Sequence, residues 1–162
     1  MNSNKKAKVL FVCLGNICRS PTAHGVFQTL VAQHGLDGLI EVDSAGTAAY
    51  HIGKAPDARS VKAAASRGYD LSALRARQVS AKDFQEYDYI LAMDEENLAN
   101  LKRIQPDDYQ GKLSLFLAYG QCMEKEVPDP YYGGDQGFMH VLDLVENASF
   151  GLLMSIQQSW SK

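Results

Sequence analysis

Cysteine is scarce in this chain: Cys13, Cys18 and Cys122 are the three in 162 residues. An odd count without a Cys-x-x-Cys pair excludes a disulfide scaffold and fits a reducing compartment. The four histidines, His24, His34, His51 and His140, are scattered, and none lies at metal-ligand spacing from another or from a cysteine. They read as surface or core residues, and neither a metal nor a cofactor is expected.

Long apolar runs are missing as well. Met1 to Lys8 is polar and basic and leads into the short apolar run Val9 to Val12, which is too short for a signal-peptide core or a membrane span. A cytoplasmic protein is expected, in which the Asn147-Ala148-Ser149 sequon inside a predicted helix has no consequence. Neither sign of charge dominates: 16 basic residues face 19 acidic ones for a net charge of -3, which argues against general affinity for nucleic acid or an anionic membrane. Repeats, linkers and low-complexity stretches are absent. With 46% hydrophobic residues, residues 1–162 read as a single domain able to bury about two-thirds of its unfolded surface. The composition leaves monomer and weak dimer equally open.

What is present is an alternation of strand-like and helix-like segments. After Val9 to Val12, the residues Ala23, Val26, Phe27, Leu30 and Val31 recur at helical spacing up to Gly35. Leu39 to Ala45 reads as a second strand, and Pro56-Asp57 opens an alanine-rich helix running to about Arg67. Tyr87 to Met93 is a third strand, and Asp94 caps a short helix with Leu98 and Leu101 inward. Lys112 to Phe116 is a fourth strand, and Phe138, Val141, Leu142, Val145, Leu152 and Ile156 mark a long final helix. The predicted fold class is α/β: a doubly wound four-stranded parallel sheet with helices on both faces, in three layers. Ligands of such sheets bind beyond the carboxyl ends of the strands, which gathers Cys13, Ser44 and Asp94 near one edge.

At the end of the first strand stands Cys13-Leu14-Gly15-Asn16-Ile17-Cys18-Arg19-Ser20, followed by Pro21. A cysteine and an arginine with five residues between them carry little information alone. The context carries more: Gly15 allows close backbone approach, Asn16 tolerates left-handed dihedrals, Ser20 suits a helix N-cap and Pro21 the first helical position. Loop amides and a helix N-terminus converging on a thiol form an electropositive cradle that binds oxyanions. Thiols in such places ionise at pKa values of roughly 3.5 to 7.5 instead of about 8.5. Residues 14 to 20 (Leu14, Gly15, Asn16, Ile17, Cys18, Arg19 and Ser20) are thus candidate phosphate binders, with Cys13 the nucleophile.

Here the chain resembles the low-molecular-weight protein tyrosine phosphatases, whose signature is a cysteine, five residues, an arginine and a serine near the N-terminus. Asp43-Ser44-Ala45-Gly46-Thr47 is similar to the family's second strand and its exit, Ala92-Met93-Asp94 to the end of its third strand, and Asp129-Pro130-Tyr131-Tyr132 to its acid loop. The resemblance covers essentially the whole chain. It implies the phosphotyrosine phosphatase I-like fold and a phosphomonoester hydrolase that acts through a phosphocysteine intermediate, with phosphotyrosyl proteins as substrates and phosphate or other oxyanions as inhibitors.

In that chemistry Cys13 attacks phosphorus, Arg19 holds two phosphate oxygens in a bidentate fork, and Ser20 hydrogen-bonds the thiolate. Asp129, between Pro128 and Pro130, is the candidate proton donor; a bound phosphate and partial burial by Tyr131 and Tyr132 are expected to raise its pKa and set an acidic optimum. A solvated turn aspartate fits the same residues. Tyr50, Tyr131 and Tyr132 are candidate walls for a planar substrate ring. Asn16 and Ser44 resemble the family's loop-supporting pair, one side chain bonded to the other. Cys18 is a candidate redox partner that traps oxidised Cys13 as a disulfide, or else a small residue filling the loop. Arg75 and Arg77 read as solvated helix-end or loop charges, or else as local positive potential near the site mouth. The arginine-phosphatase branch of the family carries threonine where Ile17 stands, and a thiol-linked arsenate reductase of the same fold needs a distal cysteine pair that the stretch from Ser60 to Gln110 lacks. A non-catalytic phosphotyrosine-binding module would need neither Asp129 nor the thiol.

Overall fold

The computed structural model describes residues 5–130 and 134–161. Four strands, β1 (Ala7–Cys13), β2 (Ile40–Gly46), β3 (Tyr89–Ala92) and β4 (Lys112–Leu115), make one parallel sheet in the order β2-β1-β3-β4. Five α-helices accompany it among the described residues: α1 (Arg19–Gln33), α2 (Ala58–Ala65), α3 (Asp83–Glu86), α4 (Glu95–Ile104) and α5 (Asp135–Trp160).

β1 is the apolar run read from the sequence, and it is apolar on both faces because both are covered. Val9, Phe11 and Cys13 face a core shared with α1, α2 and α5, whereas Leu10 and Val12 face a second core with Phe84 of α3 and Leu101 of α4. The three-layer arrangement follows from this double burial. Phe11 anchors the larger core, its ring meeting Phe27 and Phe116 edge-on at 5.7 and 4.9 Å. Each such buried phenyl contributes roughly 1.5–3 kcal/mol. Because β2 and β3 flank β1 on opposite sides, the chain leaves the carboxyl ends of the strands in opposite directions beside Cys13, and a crevice opens there.

The predicted elements are present, with three differences. α1 begins at Arg19 with Cys18 in the capping position and no side-chain cap; Ser20 lies inside the first turn because its hydroxyl is engaged elsewhere. The one-turn helix α3 and the 3-10 turn Phe116–Tyr119 after β4 are too short to show any hydrophobic period. Asp57 and Asp94, by contrast, cap α2 and α4 by accepting from Arg59 N and Asn97 N, the role their position before each helix foretold.

α5 lies so close to the 3-10 turn that a Cβ on Gly151 would overlap the carbonyl of Tyr119. Alanine in an exposed helix gains up to about 1 kcal/mol over glycine, but here backbone would have to move, and overpacking costs about 1–3 kcal/mol. Gly151→Ala is therefore expected to destabilise the fold by a net ~1 to 2 kcal/mol in urea unfolding. A variant more stable than the parent would show that this contact yields.

Candidate active site

The loop that joins β1 to α1 is held from several sides. Thr47 N donates to Cys13 O at 2.9 Å, Ala48 N to Leu14 O at 3.0 Å, and Asp57 N, at the start of α2, to Ile17 O at 2.8 Å. Asn16 takes φ +59°, the left-handed region that asparagine tolerates better than most residues. Its amide N donates to Cys13 Sγ at 3.2 Å, and its Nδ2 donates to Ser20 Oγ at 2.8 Å. Ser20 Oγ lies 3.1 Å from Cys13 Sγ. That oxygen accepts from Asn16, and its one proton has two acceptors in reach, Cys13 Sγ at 3.1 Å and Ala45 O at 3.4 Å.

Arg19, in the first turn of α1, is buried, with 4% of its side chain exposed. Nη1 donates to Asp94 Oδ2 at 2.6 Å and to Val127 O at 3.1 Å, and Nη2 lies 3.8 Å from Asp129 Oδ2. Burial alone would lower the pKa of this guanidinium, but negative charge on Cys13 and the Asp94 and Asp129 carboxylates outweigh it and push it up. Asp94 divides its carboxylate: one oxygen caps α4 through Asn97 N, and the other binds Arg19. The sequence identifies the cap and not the ion pair, since nothing local marks a partner 75 residues away.

Cys13, Leu14, Gly15, Ile17, Cys18, Arg19, Tyr50 and Asp129 line one cavity of about 330 Å³. Asn16 and Ser20 sit behind it, buried against the sulfur. Asp129 follows the strand-like anchor Val127, whose N donates to Met93 O at 2.8 Å; its own carboxylate is 41% exposed. Tyr131 and Tyr132 lie outside the described residues. Ser44 is buried, but it pairs with His24 Nδ1 at 3.0 Å, whereas Asn16 Oδ1 accepts from Arg77 N at 3.0 Å. In place of the expected direct bond between Asn16 and Ser44, each side chain bonds a different partner.

Three residues near the site have contacts that their sequence reading did not give. His51 packs against Gly15 and joins the cavity wall; only its place beside Tyr50 hinted at this. His24 is buried, and that burial lowers its pKa despite nearby Asp43. Arg77 carries ion pairs to Asp43 and Asp83 and so is no solvated charge.

Cys18 is buried in the same loop. Burial pushes its thiol up to about 12, so it stays protonated near neutral pH.

Gly46, opposite Cys13 in the sheet, forms the floor of the cradle: a Cβ there would lie 2.8 Å from Leu14 O and 3.2 Å from Asn16 N. Alanine must displace loop backbone. Gly46→Ala is expected to weaken the binding of inorganic phosphate about tenfold, or ~1.4 kcal/mol, in titration calorimetry. Unchanged affinity would show that the loop does not depend on this contact.

Comparisons with known proteins give the family and the fold. The sequence model of the family described as low molecular weight phosphotyrosine protein phosphatase matches residues 8–162. A relative from Synechocystis sp. is 47% identical over 151 residues, 92% of this chain and 96% of its own length. The low molecular weight phosphotyrosine protein phosphatase of Schizosaccharomyces pombe is 46% identical over 136 residues, 83% of this chain and 86% of its own. Among solved structures, a protein tyrosine phosphatase from Entamoeba histolytica with Hepes in its active site superposes with a TM-score of 0.91 at 41% identity, covering 94% and 98% of the two chains. A Drosophila arginine phosphatase superposes with a TM-score of 0.85 at 33% identity, covering 91% and 96%. The chain belongs to the low molecular weight phosphotyrosine protein phosphatase family, a family of hydrolases.

Proposed function

We propose that this protein hydrolyses phosphotyrosine in proteins, and small aryl phosphates, through a phosphocysteine intermediate formed on Cys13. The observation that carries the reading is the opening of Cys13, Arg19 and Asp129 into one cavity, with Ser20 and the Asn16 amide on the sulfur. In the first step the thiolate attacks phosphorus, the bond to the aryl oxygen breaks, and Asp129 gives that oxygen its proton. In the second, water attacks the phosphocysteine, the Asp129 carboxylate takes the water's proton, and sulfur leaves as thiolate with the Ser20 hydroxyl donating to it. Arg19 and the loop amides hold the equatorial oxygens in both steps. Ile17 in the cavity wall supplies no hydroxyl, which supports tyrosine over arginine as the phosphorylated residue. Tyr50, 72% exposed at the rim, offers a face for the substrate ring.

Phosphate release from a phosphotyrosyl and a phosphoarginyl peptide, side by side in chelator, tests this. Release from phosphotyrosine alone is expected, with none from Cys13→Ser and a kcat lowered about 10²- to 10⁴-fold in Asp129→Asn. A preference for phosphoarginine would overturn the substrate while keeping the nucleophile. No release from either would turn the reading to a phosphotyrosine-binding module.

The same site supports redox control in the cytoplasm, where the free cysteines stay reduced; no helix among the described residues is long and apolar enough to cross a membrane. Peroxide oxidises the Cys13 thiolate to a sulfenic acid and is itself reduced to water; the Cys18 thiol then condenses with it, releasing water and forming a disulfide. Both sulfurs line the one cavity. After brief peroxide treatment, dithiothreitol is expected to restore the parent fully and Cys18→Ser only in part. Equal recovery of the two would remove Cys18 from this role.

A further inference from the structure

Residues 74–79 form no helix or strand, yet they touch both loops that shape the cavity. Gly46 N donates to Arg77 O and Val79 N to Gly46 O, each at 2.8 Å, so the segment rides on the end of β2 through an isolated bridge between Gly46 and Gln78. Ala76 N donates to Lys54 O at 2.9 Å and Gly53 N to Ala76 O at 2.8 Å, which ties it to the loop bearing Tyr50 and His51. On the other side Arg77 N reaches Asn16 Oδ1, the left-handed residue whose Nδ2 holds Ser20.

A side chain clamps this segment. Arg77 Nε donates to Asp43 Oδ2 at 3.1 Å, while Nη1 and Nη2 straddle Asp83 at 3.1 and 3.0 Å. Asp83 is itself buried at the start of α3 and accepts from Ser80 N at 2.9 Å. A planar guanidinium bound to two carboxylates in this manner fixes its own backbone in a way that one flexible ammonium does not.

We propose that Arg77 is a positioning residue for the phosphate cradle: its double ion pair sets the backbone amide that orients Asn16, and Asn16 in turn orients Ser20 against Cys13. This rests on the phosphatase reading. The alternative is a clamp that only adds stability, as Arg67 does by bridging Asp143 and Glu146 of α5 at 2.8 and 2.6 Å. The two roles separate kinetically. A displaced cradle fits the trigonal-bipyramidal transition state less well than the tetrahedral ground state, and small misplacements cost up to about a hundredfold in rate.

The experiment compares the parent with Arg77→Met, Arg77→Lys, Asp83→Asn and Arg67→Met, using p-nitrophenyl phosphate as substrate and orthovanadate and inorganic phosphate as inhibitors. Arg77→Met is expected to lower kcat about 10- to 100-fold and to weaken vanadate inhibition in proportion, with phosphate inhibition changed less than about threefold. Arg77→Lys is expected to recover part of this, and Asp83→Asn to reproduce part of it. Arg67→Met is expected to melt earlier with kcat within about twofold of the parent. Parental kcat and vanadate inhibition in Arg77→Met, or losses that Arg67→Met matches, would overturn the inference. Should Arg77→Met fail to fold, Asp83→Asn decides by the same criteria. An inactive parent would instead refute the phosphatase reading and the inference with it.

Discussion

A guanidinium that is 4% exposed has to be surrounded by acceptors, because an arginine cannot discharge itself by losing a proton. Arg19 meets that requirement with Asp94 from the end of β3, the Val127 carbonyl, and Asp129 two residues further on. The need to compensate one buried charge thus brings together the first turn of α1, the cap of α4 and the segment that carries the candidate proton donor. The Nη1 atom is committed to protein, and the residue also lines the cavity. One buried side chain thus ties three stretches of chain together, its own helix included.

The cradle itself is a strained loop supported in layers. A left-handed residue costs of order 1–3 kcal/mol and persists only where its neighbours determine it. Asn16 is determined by both ends of its side chain, by Ser20 on one side and the Arg77 amide on the other. The floor under it is Gly46, whose lack of a Cβ lets β2 end directly beneath the loop. Each layer is regular secondary structure or is bonded to it, which holds the loop in one conformation.

Within this loop two buried sulfurs have different neighbours. Cys13 Sγ accepts from the Asn16 amide and lies 3.1 Å from Ser20 Oγ. Cys18 is buried with its thiol pushed up to about 12, which keeps it protonated. Four residues of sequence separate them; the difference arises from what each side chain faces, which no spacing rule encodes.

Much of the fold was legible in the sequence, because a parallel sheet buried on both faces demands short continuous apolar strands such as Val9 to Val12, and because Asp57 and Asp94 act locally on the helices they precede. The loop after Cys13 was legible for the same reason: glycine, asparagine and the start of a helix are local conformational requirements. α3 and the 3-10 turn were not, being shorter than any hydrophobic period. The contacts that complete the site were not legible either. Asp94 on Arg19, His24 on Ser44 and Arg77 on Asn16, Asp43 and Asp83 join residues far apart in the chain. The sequence by itself determined the strand–loop–helix unit and the residue types that make it chemically competent, since these follow from backbone sterics and periodicity. Only the tertiary structure decided which charges meet which, because an ion pair depends on where the sheet order delivers two side chains in space and leaves no trace along the chain.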